Sequence, residues 1–237
     1  MAKHYYLSKY SFADDFANAL RDYYGESGVV IETAADNTIV FKCPSVCDKM
    51  VKITLWDYGT LAWIGQGSAN MTQFHQMTGY YGQVNSVHLV LSDVFILFDT
   101  ESVTASGSVL AAKLSNGRYF VSGGGSYRST WNEDVGVNKC LFTDTMELKP
   151  IRVVEPVSSG FKSAGKYLVW PVHVANDLEV ELNADGSFAY IPGVMVASST
   201  GRPIVGDNYY LSQSDIGGYN TDRMYRNDQL YVELETE

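Results

Sequence analysis

Phe120 to Asn132 reads "FVSGGGSYRSTWN", three consecutive glycines followed by Ser126, Arg128, Ser129 and Thr130, which are residue types that can cradle a phosphate. A phosphate-binding P-loop spaces its glycines as Gly-x-x-x-x-Gly, follows them with Lys and Ser or Thr, and opens a helix whose N-terminal amides face the anion. Here no Lys follows, and "TWNEDVGVNK" lacks helical periodicity. Gly123, Gly124 and Gly125 are contiguous, so the dinucleotide spacing Gly-x-Gly-x-x-Gly fails as well. The stretch is expected to be a loop, with side chains removed where the backbone turns sharply or where a neighbouring subunit comes close.

The remaining reactive side chains form no recognisable constellation. There is no Gly-x-Ser-x-Gly elbow for a nucleophilic serine. His4, His75, His88 and His173 are scattered without paired spacing. Cys43 and Cys47, in "CPSVC", are too far apart for a C-x-x-C pair, and with Cys140 they read as buried free thiols ahead of a zinc site. Carboxylates recur at Asp14-Asp15, Glu133-Asp134 and Glu179/Glu181, where a solvated face is the expectation ahead of a glycosidase pair. "DTESVTASG" and "NADGS" carry oxygen ligands but not a calcium loop, and read as turns. No catalytic, metal or cofactor-binding residue is therefore assigned, and no cofactor is expected. Trp faces can stack on sugars. Trp56 and Trp63, on alternating strands, are expected in the core, while Trp131 and Trp170 are further candidates for a platform. The residues singled out as an interface or ligand surface are Tyr127, Arg128, Trp131, Tyr209, Tyr210 and Tyr219.

The elements that must position these groups are mostly strands. One helix is clear in "SFADDFANALRDYYG": Ser11 is an N-cap, Asp14 and Asp15 suit the first turn, Phe12, Phe16, Ala19, Leu20 and Tyr23 share a face, and Gly25 ends it. "NMTQFHQMTG" predicts a second, weaker helix from Asn70 to Gly79. Hairpins follow from Asp36-Asn37, from Asp57-Tyr58-Gly59, from Asn116-Gly117 and from Asp185-Gly186. Before the last of these turns, Leu178, Val180 and Leu182 are expected inward and Glu179 and Glu181 outward. Pro150, Pro156, Pro171 and Pro192 mark edges or breaks. Strand after strand at short intervals predicts a mainly β fold, α+β at the N-terminus, with antiparallel sheets as a sandwich or barrel. "EPVSSGFKSAGK" suggests a boundary, with a helix-plus-β module at 1–155 and a smaller β module at 156–237; one domain with a long loop is the alternative.

Composition narrows the partners. The 237 residues carry a formal charge of −10 and no Lys/Arg cluster, which argues against nucleic acid. The start lacks an apolar signal region, and the longest apolar stretch, "VHLVLSDVFILF", is too short to span a membrane, so a soluble protein made in a cytoplasm is expected. Seventeen tyrosines, several in adjacent pairs, suit strands that place one ring inward and one outward.

Stretches such as "ITLWDYGTLAWIGQG", "KLSNGRYFVSGGGS" and "SSTGRPIVGDNYYLSQSDIGGYN", with short strands, Gly-Asn turns and paired tyrosines, give a chain that resembles structural proteins of tailed-bacteriophage virions or phage-tail-like particles. The resemblance implies a non-enzymatic tail, collar, baseplate or fibre-attachment component in a virion, partnered by other virion proteins and by itself in a ring or trimer. It makes the N-terminal helix and the segment after Ile216 docking arms, although "DQLYVELE" also alternates as an ordinary closing strand. A carbohydrate-binding or host-recognition β-sandwich and a hydrolase on a β scaffold remain the alternatives.

Overall fold

The computed structural model describes residues 1–56, 59–65, 74–81, 84–102, 105–127, 139–146, 148–149, 152–154, 166–167, 169–175, 180–197, 202–203, 208–211 and 229–236. After β1 (Lys3–Leu7) and the helix α1 (Phe12–Tyr24), the chain makes a five-stranded meander of β2 (Val30–Ala35), β3 (Thr38–Cys43), β4 (Cys47–Trp56), β5 (Gly59–Gly65) and β6 (Phe74–Tyr81). A second meander follows: β7 (Val84–Leu91), β8 (Phe95–Ser102), β9 (Ala105–Lys113), β10 (Tyr119–Tyr127), β11 (Lys139–Phe142) and β12 (Leu148–Lys149). With β1 added beside β7 it forms a seven-stranded antiparallel sheet, the central one.

The third sheet has the order β13-β15-β16-β19-β18, from β13 (Arg152–Val154), β15 (Val169–Ala175), β16 (Tyr190–Ala197), β18 (Tyr209–Leu211) and β19 (Gln229–Glu233). A parallel pair, β14 (Lys166–Tyr167) and β17 (Arg202–Pro203), stands apart. The fold is mainly β with one helix near the N-terminus, and none of the described sheets closes into a barrel. β13, which lies before residue 155, pairs with β15, which lies after it. The described helix is too short and polar to cross a membrane, which leaves strands out of account.

The central sheet is covered on both faces, and this explains the long apolar stretch from Val87 to Phe98, interrupted at His88 and at Ser92-Asp93. Successive side chains on a strand point to opposite faces. Ile96 and Phe98 of β8 join one interior with Val109 and Ala111 of β9, the helix and the β2–β6 sheet. Phe95 and Leu97 join the other, with Leu110, Ala112, Val172, Ile191, Val194, Leu230 and Val232. A strand with two buried faces has no polar side to alternate with.

The helix forms where the spacing predicts. Its inward stripe, Phe12, Ala13, Phe16, Ala17, Ala19 and Leu20, is buried, so one face of α1 is part of the interior. Phe16 meets Phe98 and Phe41 at ring-centre distances of 6.0 and 5.3 Å. Ser11 gives its hydroxyl to Asp15, whose carboxylate also accepts the Ser8 amide, so the start of the helix is organised through Asp15. Gly25 stops it at φ 73°, a conformation that costs other residues more.

Four expectations about the fold fail. Phe74–Tyr81, placed in a second helix, is a strand: β5 offers it a ladder along its length, and pairing overrides a weak capping signal. Asn70–Gln73 lie outside the described residues. The glycines 123–125 are not a loop but the middle of β10, paired with Val109, Ser108 and Gly107 of β9. β6 lies with Cα atoms within 8 Å of β10. Trp56, at the end of β4, is 41% exposed and not in the core. The inward placing of Leu182 also fails, for a reason given below. Pro171 and Pro192 do sit at a break, where the β15–β16 register shifts between Pro171 and His173. The C-terminal stretch is a closing strand, with Leu230 and Val232 buried.

Candidate functional site

Among the described residues, three exposed large apolar side chains gather at one hairpin. Asp185-Gly186 turns the chain through Gly186 at φ 82°, with Asp185 Oδ1 accepting the Ser187 amide and hydroxyl at 2.9 and 2.6 Å. The turn brings Leu182 opposite Phe188 in an antiparallel bridge. Both side chains face solvent, at 50% and 53% exposure, and Tyr190 beside them is 38% exposed. Phe188 packs its ring at right angles to His173, 5.6 Å between centres.

The hairpin is held from beneath by polar groups of the β9–β10 turn. Ser115 donates its hydroxyl to Asn183 at 2.7 Å and accepts the Tyr190 amide at 3.0 Å. Asn116 donates to Glu181 Oε2 and to the Leu182 carbonyl, at 3.0 and 3.2 Å. Arg118 ties the assembly together: Nη1 reaches Glu181 at 2.6 Å, while Nε and Nη2 grip both oxygens of Asp144 at 3.0 Å. Its guanidinium lies over the Phe142 ring, 3.8 Å from the centre. The two hydrogen bonds from Arg118 hold the Asp144 carboxyl below its ordinary range. Because Glu181 turns in to meet Arg118, its neighbour Leu182 must turn out. The expected inward-outward alternation is therefore inverted at these two positions.

The arrangement can do little bond-making chemistry, since its charged groups are spent on one another. What it presents is an apolar crest of Leu182, Phe188 and Tyr190 on a stiffened support. Its sequence signal was partial: the Asp185-Gly186 hairpin was legible, but the partner that turns Glu181 inward lies 63 residues away.

Of the residues singled out from sequence, Tyr209 and Tyr210 are the two whose side chains lie among the described residues. Tyr127 ends β10, with its side chain outside the described part; Arg128, Trp131 and Tyr219 lie outside the described residues altogether. Tyr209 is half-buried, its ring 5.3 Å from that of Tyr231. Tyr210 is a correction. It is buried in the core between the central and third sheets, where its hydroxyl donates to the fully buried Asp99 at 2.8 Å, so it offers no outer surface. Cys43 and Cys47 are buried free thiols directly opposite each other on β3 and β4, and burial pushes both thiols up, Cys47 to about 12. No protein-family model matches the chain, and no curated protein matches it.

Proposed function

We propose that the chain is a non-enzymatic structural and assembly component of a tailed-phage virion or phage-tail-like particle, acting through contacts with copies of itself or with other virion proteins in a ring or trimer. The observation that supports the assembly reading is the crest of Leu182, Phe188 and Tyr190. Interfaces draw their affinity from a few large apolar side chains. An anchor already fixed by hydrogen bonds loses less freedom on docking than one on a loose loop. The virion assignment adds to this the resemblance drawn from sequence.

The test is the mass of the purified protein in solution across a concentration series, by light scattering, for the natural chain and for Leu182→Ser/Phe188→Ser. A multimer that the double variant reduces to a monomer, with melting unchanged, is the expected result. A monomer at every concentration, or a multimer indifferent to the two substitutions, contradicts the proposed role of the crest.

A second reading has one observation in its favour. Trp56, 41% exposed at a strand end, offers an indole face of the kind that stacks on sugars. Glycan-dependent quenching of fluorescence that disappears in Trp56→Phe favours the carbohydrate-binding module.

A further inference from the structure

The segment that follows β19 runs beside the start of β1, the edge strand of the central sheet. Ala2 bridges Leu234 in parallel, and the Glu235 amide donates to the Ala2 carbonyl at 2.9 Å. Two residues further into the edge strand β1, His4 Nε2 lies 3.0 Å from His88 Nδ1 on β7. The two ring planes differ by only 20°, and their centres are 5.2 Å apart. A centre separation so much larger than the nitrogen separation puts the rings edge to edge, nitrogen facing nitrogen, as in an in-plane N–H···N hydrogen bond. The other nitrogen of His88, Nε2, is 2.9 Å from the Ser86 hydroxyl. Tyr210 of β18 roofs both imidazoles, with ring-centre distances of 4.8 Å to His4 and 5.5 Å to His88.

We propose that His4 and His88 form a proton-sharing lock that fastens the N-terminal strand and the third sheet to the central sheet, and that it opens when both imidazoles are charged. The limit is set by donor counting. A neutral imidazole has one donor and one acceptor nitrogen, and an imidazolium has two donors. With both rings neutral, one N–H is shared between them. One added proton is accommodated, because His88 can then donate to His4 Nε2 and to the Ser86 hydroxyl, which rotates to accept. A second proton places N–H against N–H across 3.0 Å and two positive charges under one tyrosine ring.

The titratable groups that face the pair, among the described residues, come from three elements. Tyr6 of β1 meets the His88 ring edge-on at 5.3 Å. Asp99 of β8 stands directly opposite His88 in the register, on the same face of the sheet. Tyr210 of β18 donates its hydroxyl to that carboxylate. Burial, and then the charge of His88, push His4 down to about 4. A histidine whose folded value lies below its ordinary 6.5 favours the folded state when neutral, so its contribution is present at pH 7 and is lost progressively as pH falls from about 6.5 toward 4. The lock therefore withstands mild acid and yields near pH 4. It does not depend on the assembly reading.

The test is an imidazole titration of the natural protein by NMR, paired with unfolding at pH 7 and pH 4 for the natural chain and His4→Gln. The expected titration has two coupled steps, the lower far below the ordinary histidine range, with signals of β1 and β18 moving with the lower step. Between pH 7 and pH 4 the natural chain's unfolding constant is expected to rise at least about tenfold more than that of His4→Gln, because each whole pKa step by which folding lowers a histidine is worth about a factor of ten. Carboxylates titrate in both proteins and cancel in the comparison. Should His4→Gln fail to fold, His88→Gln replaces it, and the titration needs no variant. Two independent histidines near 6.5, or identical pH profiles for the natural chain and the variant, overturn the proposal.

Discussion

Val109 and Leu110 are neighbours in β9, yet they belong to different interiors. The face of the central sheet that carries Val109 is closed by α1 and the β2–β6 sheet, and its centre is aromatic: Phe12, Phe16, Phe41 and Phe98, each within 6.0 Å of another ring. The face that carries Leu110 is closed by the third sheet and includes a polar row. Tyr6, His88, Asp99, Ser108 and Gly124 follow one another across five adjacent strands. Asp99 and Ser108 of this row are fully buried, and the Ser108 hydroxyl has no hydrogen-bond partner among the described residues. The helix side is thus held mainly by apolar packing, while on the other side the proposed lock makes part of the hydrogen bonding depend on protonation. By this proposal the attachment of the third sheet responds to pH more than the helix-side core does.

Substitutions on the two faces should separate in size. Phe16→Ala empties the aromatic centre of the helix side and is expected to cost about 3–5 kcal/mol, read from denaturant unfolding. Tyr210→Phe keeps the ring over the histidines and removes one donor from the buried Asp99, for a loss of about 1–3 kcal/mol. The comparison breaks if the smaller change proves the more damaging. It sharpens if Tyr210→Phe also alters the acid sensitivity of the natural chain while Phe16→Ala leaves it unchanged.

Much of the helix side was legible in the residues themselves. The stripe Phe12, Phe16, Ala19 and Leu20 announces a helix and its buried face, and Gly25 its end. The turns at Asp36-Asn37, Asn116-Gly117 and Asp185-Gly186 announce three hairpins, because their chemistry is local. What was not legible depends on distant partners. Gly123–Gly125 become a strand because β9 lies beside them, and Phe74–Tyr81 because β5 does. Leu182 faces outward because Arg118 claims Glu181, and Tyr210 is buried because β18 packs it against the central sheet, where its hydroxyl meets Asp99. His4 and His88 are 84 residues apart and carry no motif, so only the pairing of β1 with β7 brings them together.

The most direct test of the two-faced sheet is amide hydrogen exchange of the natural chain at pH 7 and pH 4, resolved by segment and corrected for the intrinsic pH dependence of exchange. The two-faced account predicts that α1, β3 and β4 keep their protection at pH 4 while β1, β18 and β19 lose theirs. Equal loss in both groups, or loss confined to the helix side, contradicts it.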